Sequence, residues 1–373
     1  MTREGDRAVT LVLGGDVMLG RGIDQLLAHP GDSALWESGV HDARTYVALA
    51  ERACGPIPTP VDDTWPWGDA LAELTDPAVA ARILNLETSI TTSDDFASGK
   101  AVHYRMSPDN IGCLLAAAPD VCVLANNHVL DFGRRGLDET LDVLGSAGLP
   151  TAGAGRDAER ALAPAAVPVP GGRVAVLALA HASSGVPRSG RRPPPSSGVA
   201  LLPDLSDATA EAVGARVHEE KHRGAVVVVS VHWGSNWGMG VPDEQVRFAH
   251  RLVDAGADIV HGHSSHHPRP LEVYAGRLVL YGCGDLVNDY EGIRGHDEYR
   301  GDLRLVYRVS VDPVDGVLQG VDLVPFRSRR LRLERTGSTE AAWLASLLDE
   351  HSRPRGVRIR RCADHLELDW QPA

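Results

Sequence analysis

A carboxylate, an amide or an imidazole follows each of five apolar, β-branched runs in this chain, at 9–13, 83–86, 121–124, 226–231 and 259–260. The polar residues at these run ends are Asp16, Glu87, Asn127 with His128, His232, and His261 with His263. Such side chains can ligate a divalent cation or move a proton. A short apolar run is typical of a buried parallel strand, and open α/β sheets bind ligands outside the carboxyl ends of their strands. The repetition therefore predicts one shared pocket that holds a metal centre.

The strongest single cluster is the segment 261–267, which carries four histidines in seven residues directly after a strand. A loop allows alternate histidines to face one ion, and His263 and His266 are the candidate ligands. The other interpretation is a solvated histidine-rich loop. Since four imidazoles cannot all coordinate, one or two of them are expected to donate protons or to contact the ligands.

A second cluster is Asn126-Asn127-His128, with Asp131 three residues beyond the histidine. Asn127 offers an amide oxygen as a ligand, and Asp131 is placed to orient the His128 imidazole as an acid or base. The alternative is a capping asparagine pair before a helix. Single residues such as Asp16, Glu87 and His232 could likewise be turn or core residues, and only their common position at strand ends favours a site.

Strand and helix patterns alternate along most of the chain, which predicts an α/β protein. Helices are predicted at 108–118, 133–147, 204–222 and 242–255, whereas antiparallel strands are predicted at 271–274, 278–281, 303–311 and 317–323. Arg188 to Ser197, with three consecutive prolines, is predicted to be a loop. The interpretation is a main metal-binding domain at 1–325 and a small α/β extension at 326–373 that forms a C-terminal cap.

The net charge of −13 argues against nucleic acid as a partner, because phosphate contacts need clustered Lys and Arg. The same charge would repel an anionic substrate unless bound cations reverse the field locally. Ten arginines and four acids lie between 327 and 361, and we interpret these arginines as a solvated face that pairs with acids. No membrane span or signal peptide is evident, and five cysteines without Cys-x-x-Cys spacing fit a cytoplasmic location. The sequence does not indicate an oligomeric state.

Five ordered motifs resemble the CapA-type capsule-synthesis (poly-γ-glutamate) family, which is itself similar to calcineurin-like metallophosphatases. The motifs are GGDVMLGRGID, RILNLETSI, LANNHVLDFGRRG, VHWG and HGHSSHHPRPLEVYAGRLVLYGCGD, between about Val9 and Asp302. The resemblance implies a calcineurin-like αββα arrangement of mixed sheets. It also implies metal ligands at Asp16, Glu87, Asn127, His232, His263 and His266, with Glu87 in the place of the bridging carboxylate. Because Met18 stands where the superfamily has a histidine, the centre is expected to hold one or two ions.

The favoured hypothesis is a metal-dependent hydrolase in which His128, held by Asp131, protonates the leaving group. A mixed nitrogen and oxygen ligand set favours Mn, Fe or Zn. Arg21, Tyr104 and Arg105 are candidates for binding a small or polymeric anionic substrate, although either arginine could equally form a structural ion pair. The scissile bond would be a phosphoester or a γ-glutamyl amide.

Two other functions remain open from the sequence. The first is a non-catalytic metal-binding module that grips an acidic polymer or a synthase partner, with Trp65, Trp67, Trp233 and Trp237 as possible groove residues. The second is a redox or lyase enzyme that uses iron at a mixed site.

Overall fold

The computed structural model describes residues 8–186 and 197–371. Residues 188–196 of the loop predicted from Arg188 to Ser197 therefore lie outside the described residues. The helices in the described parts are α1 (Arg44–Cys54), α2 (Leu71–Leu74), α3 (Ile111–Ala116), α4 (Gly133–Ser146), α5 (Ala158–Leu162), α6 (Asp207–His222), α7 (Asp243–Asp254) and α8 (Ser338–Ser352).

The first half contains the strands β1 (Val9–Val17), β2 (Ala34–Glu37), β3 (Val40–Asp42), β4 (Val79–Leu86), β5 (Ser89–Ile90), β6 (Arg105–Met106), β7 (Val121–Val123), β8 (Thr151–Ala152), β9 (Ala154–Gly155), β10 (Ala165–Val169) and β11 (Gly172–His181). The second half contains β12 (Gly198–Val199), β13 (Leu201–Leu202), β14 (Ala225–His232), β15 (Ile259–His263), β16 (Leu271–Tyr274), β17 (Arg277–Leu280), β18 (Asp285–Val287), β19 (Leu303–Val311), β20 (Leu318–Ser328), β21 (Leu333–Arg335), β22 (Val357–Arg361) and β23 (Leu366–Trp370).

Two large mixed sheets form the body of the protein. The first has the order β22-β23-β20-β19-β1-β4-β7-β8, with β18 beside β1 and β21 beside β20. The second has the order β10-β11-β14-β15-β17-β16, with β13 beside β11. In the first sheet β1, β4, β7 and β8 run parallel at one end, and the strands from β19 to β22 pair in antiparallel fashion at the other. In the second sheet the central strands β11, β14, β15 and β17 run parallel, and the flanking strands β10 and β16 are antiparallel. The predicted α/β class with mixed sheets is therefore confirmed, whereas the calcineurin-like layering stays a prediction.

The second sheet is buried on both faces, which explains its continuous apolar strands. Val226 and Val228 of β14 belong to the hydrophobic core that includes β1, β4 and β7 of the first sheet. The alternating residues Val227 and Val229 pack in a second core with residues of α6 and α7. The two sheets thus share one core, and helices cover the outer face of the second sheet.

The long predicted helices at 133–147, 204–222 and 242–255 are confirmed as α4, α6 and α7. Residues 326–373 contribute β21, α8, β22 and β23, and β23 pairs with β20 in the first sheet. The division into two domains stays a prediction. In the described parts of the chain, no helix combines the length and apolarity that a membrane crossing requires.

Close packing of glycines fixes the strand that carries Asp16. The Asp16 amide donates to the carbonyl of Gly284 over 3.0 Å, and β1 pairs in parallel with β18 so that Asp16 lies beside Asp285. A Cβ atom on Gly15 would lie 1.8 Å from the Gly284 oxygen. Only glycine therefore allows the backbone of β1 to approach this segment so closely.

We expect Gly15→Ala to lower the free energy of unfolding by about 1–3 kcal/mol or more, because the new methyl group overlaps main chain rather than a movable side chain. Urea denaturation measures the change. Gly320→Ala on β20 is the matched control, since a Cβ atom there meets nothing within 4 Å. Equal stability of the two variants would contradict this account of the β1–β18 junction.

Candidate metal centre

The predicted pocket forms where the carboxyl ends of strands from both sheets meet. Asp16 lies near the end of β1, and Glu87 follows β4. His232 and His263 end the neighbouring strands β14 and β15 and are paired in register. All of these residues are buried. The shared position that the sequence predicted at these strand ends is therefore a real convergence of side chains.

A first group of possible ligand atoms comes from Asp16, His232 and His263, which lie within 4.8 Å of one another. The Nδ1 atoms of the two imidazoles are 2.7 Å apart. A second group within the same limit comes from Asp16, His266 and Asp285. Asp16 is thus the carboxylate common to both groups.

A hydrogen-bond chain fixes the tautomer of His263. His261 must donate from Nε2 to the Gly14 carbonyl at 3.0 Å, so its Nδ1 accepts the Ser230 hydroxyl proton at 3.1 Å. The Ser230 oxygen then accepts from Nε2 of His263 at 2.8 Å. This order leaves a lone pair on Nδ1 of His263, the atom that faces His232.

The same reasoning applies to His232, whose Nε2 lies 2.8 Å from the side-chain oxygen of Asn127. Donation from Nε2 leaves Nδ1 with its lone pair. Two lone pairs on the Nδ1 atoms of His232 and His263 then face each other across 2.7 Å, which requires a cation or a proton between them. The residues present therefore fit a divalent metal.

The electrostatics of the pocket support the same conclusion. Burial and the Asp285 carboxylate raise the pKa of Asp16 to about 7, and burial and Asp16 raise the pKa of Glu87 well above its usual value. Burial also holds the pKa values of His232 and His263 well below the ordinary value for imidazole. Burial thus disfavours the charged forms of these carboxylates and imidazoles. A bound cation would favour the ionised carboxylates and the unprotonated imidazole nitrogens.

His266 and Asp285 form a buried ion pair beside Asp16. Nδ1 of His266 lies 3.0 Å from the Asp285 carboxylate. Burial opposes this charge separation, yet Asp285 raises the pKa of His266, and His266 in turn lowers that of Asp285.

The loop between His263 and His266 turns through Ser264, whose φ of +104° is rare for a residue with a side chain. Its amide donates to Asp16 over 3.2 Å.

Glu87 lies on the other side of the first group. Its Oε1 atom is 3.7 Å from Nε2 of His232 and 3.8 Å from Nε2 of His128. The Asn85 amide donates to both Asp16 and Glu87, at 2.7 and 3.2 Å. Glu87 therefore lies between the candidate ligand His232 and the His128 imidazole. Its role as a carboxylate that bridges two metal ions stays a prediction.

His128 belongs to a polar relay behind Glu87. Its Nδ1 atom lies 2.7 Å from the Asp131 carboxylate, and burial lowers the pKa of His128 to about 4. Asp131 accepts from the Tyr104 amide at 2.7 Å and forms an ion pair with Lys100. Burial alone would raise the pKa of Asp131, but His128 and Lys100 hold it below its usual value. Asn126 caps this turn by accepting from the amides of His128 and Val129.

The candidate substrate-binding residues are all buried. Arg21 pairs with Glu37 and Asp289, and its guanidinium lies 3.8 Å from the centre of the Tyr46 ring. Arg105 donates to the carbonyls of Ser93 and Asp32. The Tyr104 hydroxyl donates to Tyr290 over 2.8 Å. Both arginines thus make structural contacts, and substrate binding by these three residues stays a prediction.

Sequence reasoning did not single out Asp285, Asn85 or Lys100. Asp285 follows the apolar run at 278–281 through Gly-Cys-Gly, much as Asp16 follows its run through Gly-Gly. The strand-end pattern could therefore have found it. Asn85 lies inside its strand and Lys100 in a polar segment far from any apolar run, so no local pattern marks either residue.

With this geometry in place, comparisons with known proteins identify the family. Residues 10–290 match the family model described as bacterial capsule synthesis protein PGA_cap. The chain belongs to this family. A probable polyglutamine synthesis accessory protein of Mycobacterium tuberculosis (strain ATCC 25618 / H37Rv) is 49% identical over 98% of this chain and 96% of its own.

Two further matches are weaker. The PGA biosynthesis protein CapA of Bacillus subtilis (strain 168) is 29% identical over 62% of this chain and 60% of its own. A solved structure of a hypothetical protein from Thermus thermophilus matches with a TM-score of 0.43 and 16% identity, covering 86% of this chain and 99% of that one. The PGA_cap assignment therefore rests on the family model and the mycobacterial relative.

We expect the purified protein to bind divalent metal, and Asp16→Ala to abolish this binding because Asp16 belongs to both ligand groups. His263→Ala and Asp285→Asn should each weaken it by at least about tenfold, since even residues that only contact ligands contribute about 10–100-fold. Elemental analysis and titration calorimetry with Mn²⁺ and Zn²⁺ measure the change.

The surface of α6 provides the control for these measurements. His218 and His222 are four residues apart with their Nε2 atoms separated by 2.7 Å, so this exposed pair could chelate metal by itself. All variants are therefore compared in a background with both residues changed to alanine. Undiminished metal binding by folded Asp16→Ala in that background would refute the proposed centre.

Proposed function

We propose that this protein is a metal-dependent hydrolase that acts on a phosphoester or γ-glutamyl amide bond in capsule or poly-γ-glutamate metabolism. The observation that carries the proposal is the position of His128, an oriented imidazole whose Nε2 atom faces the same Glu87 oxygen as the candidate ligand His232. A purely structural metal site does not need an acid–base group at its edge.

The ligand set favours Mn, Fe or Zn, bound as one or two ions by the groups around Asp16. The proposal includes a calcineurin-like arrangement of layers, supported by two mixed sheets that share a core and by the helices on the second sheet. When bound, the metal would supply Lewis-acid polarisation of the substrate and lower the pKa of water.

The relay performs the proton transfers in this mechanism. The carboxylate of Asp131 accepts from Nδ1 of His128 and holds the ring so that Nε2 faces the pocket. As water attacks the scissile bond, Nε2 takes up a proton and then returns one to the leaving group. Lys100 and the Tyr104 amide anchor the carboxylate, so the ring keeps its direction during both transfers.

The family, rather than the pocket, supports a choice between the two bond types. The relatives are named for polyglutamine synthesis and PGA biosynthesis, which favours a γ-glutamyl amide. The metal and the relay fit a phosphoester equally well. Both bond types therefore belong in the first activity screen.

We expect His128→Ala to lower kcat by about 10²–10⁴-fold, the usual contribution of a positioned acid–base group. Its metal content should stay unchanged, because His128 belongs to neither ligand group. The assay measures metal-dependent release of product from aryl phosphoesters and from γ-glutamyl amides. His29→Ala is the control, because His29 is exposed.

Other outcomes of the screen would replace the proposal. Wild-type protein that binds metal but cleaves neither bond type would favour a non-catalytic module for an acidic polymer or a synthase partner. Bound iron with oxygen consumption would favour redox chemistry. Full activity of His128→Ala would exclude the assigned relay.

A further inference from the structure

A cavity of about 670 Å³ opens beside the candidate metal centre. His266 lines it, so the cavity and the second ligand group share a wall. The segment 290–302 and the ends of β19 and β20 form much of the remaining lining. The volume lies within the usual range for a small-molecule site.

Basic side chains outnumber acidic ones in the lining of this cavity, in contrast to the protein as a whole. Six arginines and three acids line it, although the chain carries a net charge of −13. The arginines are Arg21, Arg294, Arg300, Arg304, Arg327 and Arg329. Several of them have carboxylate partners, as in the pairs Arg300–Asp302 and Arg327–Glu334. Such pairs need no ligand to satisfy them.

Arg304 differs because it is buried without a carboxylate partner. It is 1% exposed, and its Nη1 atom donates to the carbonyls of Gly301 and Leu303 at 2.5 and 3.0 Å. Its Nε atom is buried and has no hydrogen-bond partner within the described residues. Over residues 8–186 and 197–371, no carboxylate oxygen lies within 4.0 Å of this guanidinium.

Burying a guanidinium without a counter-ion is costly, and burial accordingly lowers the pKa of Arg304 despite the more distant acids Asp285 and Asp302. Two backbone carbonyls satisfy only one of its three nitrogens. The planar guanidinium can use its remaining donors to bind a carboxylate or a phosphate through two parallel hydrogen bonds.

An aromatic wall adds a second feature of a binding site. Trp237 also lines the cavity, lies 5.3 Å from the His266 ring and stacks on His296 at 4.3 Å. These flat rings therefore form an aromatic part of the cavity wall next to His266. The alternative, a purely structural arginine, leaves the buried Nε donor of Arg304 without an acceptor.

We propose that Arg304 binds an anionic group of the ligand, a carboxylate or a phosphate, in the cavity beside the metal centre. This inference deepens the proposed function and rests on it in treating the cavity as part of the same site. The bound anion would supply the counter-ion that Arg304 lacks and place the rest of the ligand beside His266.

The test compares binding by calorimetry to the metal-loaded full chain, with inorganic phosphate and a γ-linked glutamate trimer as separate probes. Arg304→Gln should weaken binding by about 10–100-fold, because a charge-assisted pair of hydrogen bonds is lost. Arg304→Lys should give an intermediate loss, since an ammonium keeps the charge but cannot bind bidentately. Arg44→Gln is the charge-matched control, because the Arg44 side chain is 70% exposed.

If the Arg304 variants lose affinity for only one of the two probes, that probe shows whether the bound anion is a phosphate or a carboxylate. Metal content and thermal unfolding are measured for each variant, and Arg304→Lys carries the comparison if Arg304→Gln does not fold. The proposal is overturned if wild type binds neither probe at millimolar concentration, or if Arg304→Lys and Arg304→Gln bind like Arg44→Gln. Arg304-dependent binding without hydrolysis would refute only the proposed function, whereas hydrolysis with Arg304-independent binding would refute only this inference.

Discussion

The central constraint in this structure is the gathering of buried acids and imidazoles where two sheets meet. His232 and His263 face each other across 2.7 Å with lone pairs that their other contacts fix, and Asp16 lies beside both. Without a cation or a proton this arrangement would be strongly unfavourable in a dry pocket. Much of the surrounding architecture serves to hold these side chains together.

Each sheet contributes a different part of that support. The second sheet supplies a rigid pair of histidines, because β14 is buried between the shared core and the helices α6 and α7. The first sheet supplies carboxylates, and close packing at Gly15 brings β1 against the segment that carries Asp285. The relay of His128 and Asp131 follows β7 of the same sheet, so it sits at a fixed distance from the ligand groups.

The C-terminal residues take part in both the sheet and the cavity. β23 extends the first sheet through β20, and many tail arginines pair with acids, as the sequence predicted. Arg327 and Arg329 nevertheless line the cavity next to the candidate metal centre. Arginines therefore outnumber acids in the lining of this cavity, although the chain carries a net charge of −13.

The amino-acid sequence by itself determined the α/β class, the main helices and the identity of most polar groups at the pocket. It could do so because strand burial, helix periodicity and strand-end chemistry are local properties of the chain. Only the tertiary structure decided that Asp16 is common to two groups, and that Asn85, Lys100 and Asp285 join the site. Those facts depend on strand register and on which loops fold over the sheet edge, so contacts between distant residues decide them. The same holds for Arg304, whose sequence neighbours give no sign that its guanidinium is buried beside an open cavity without a counter-ion.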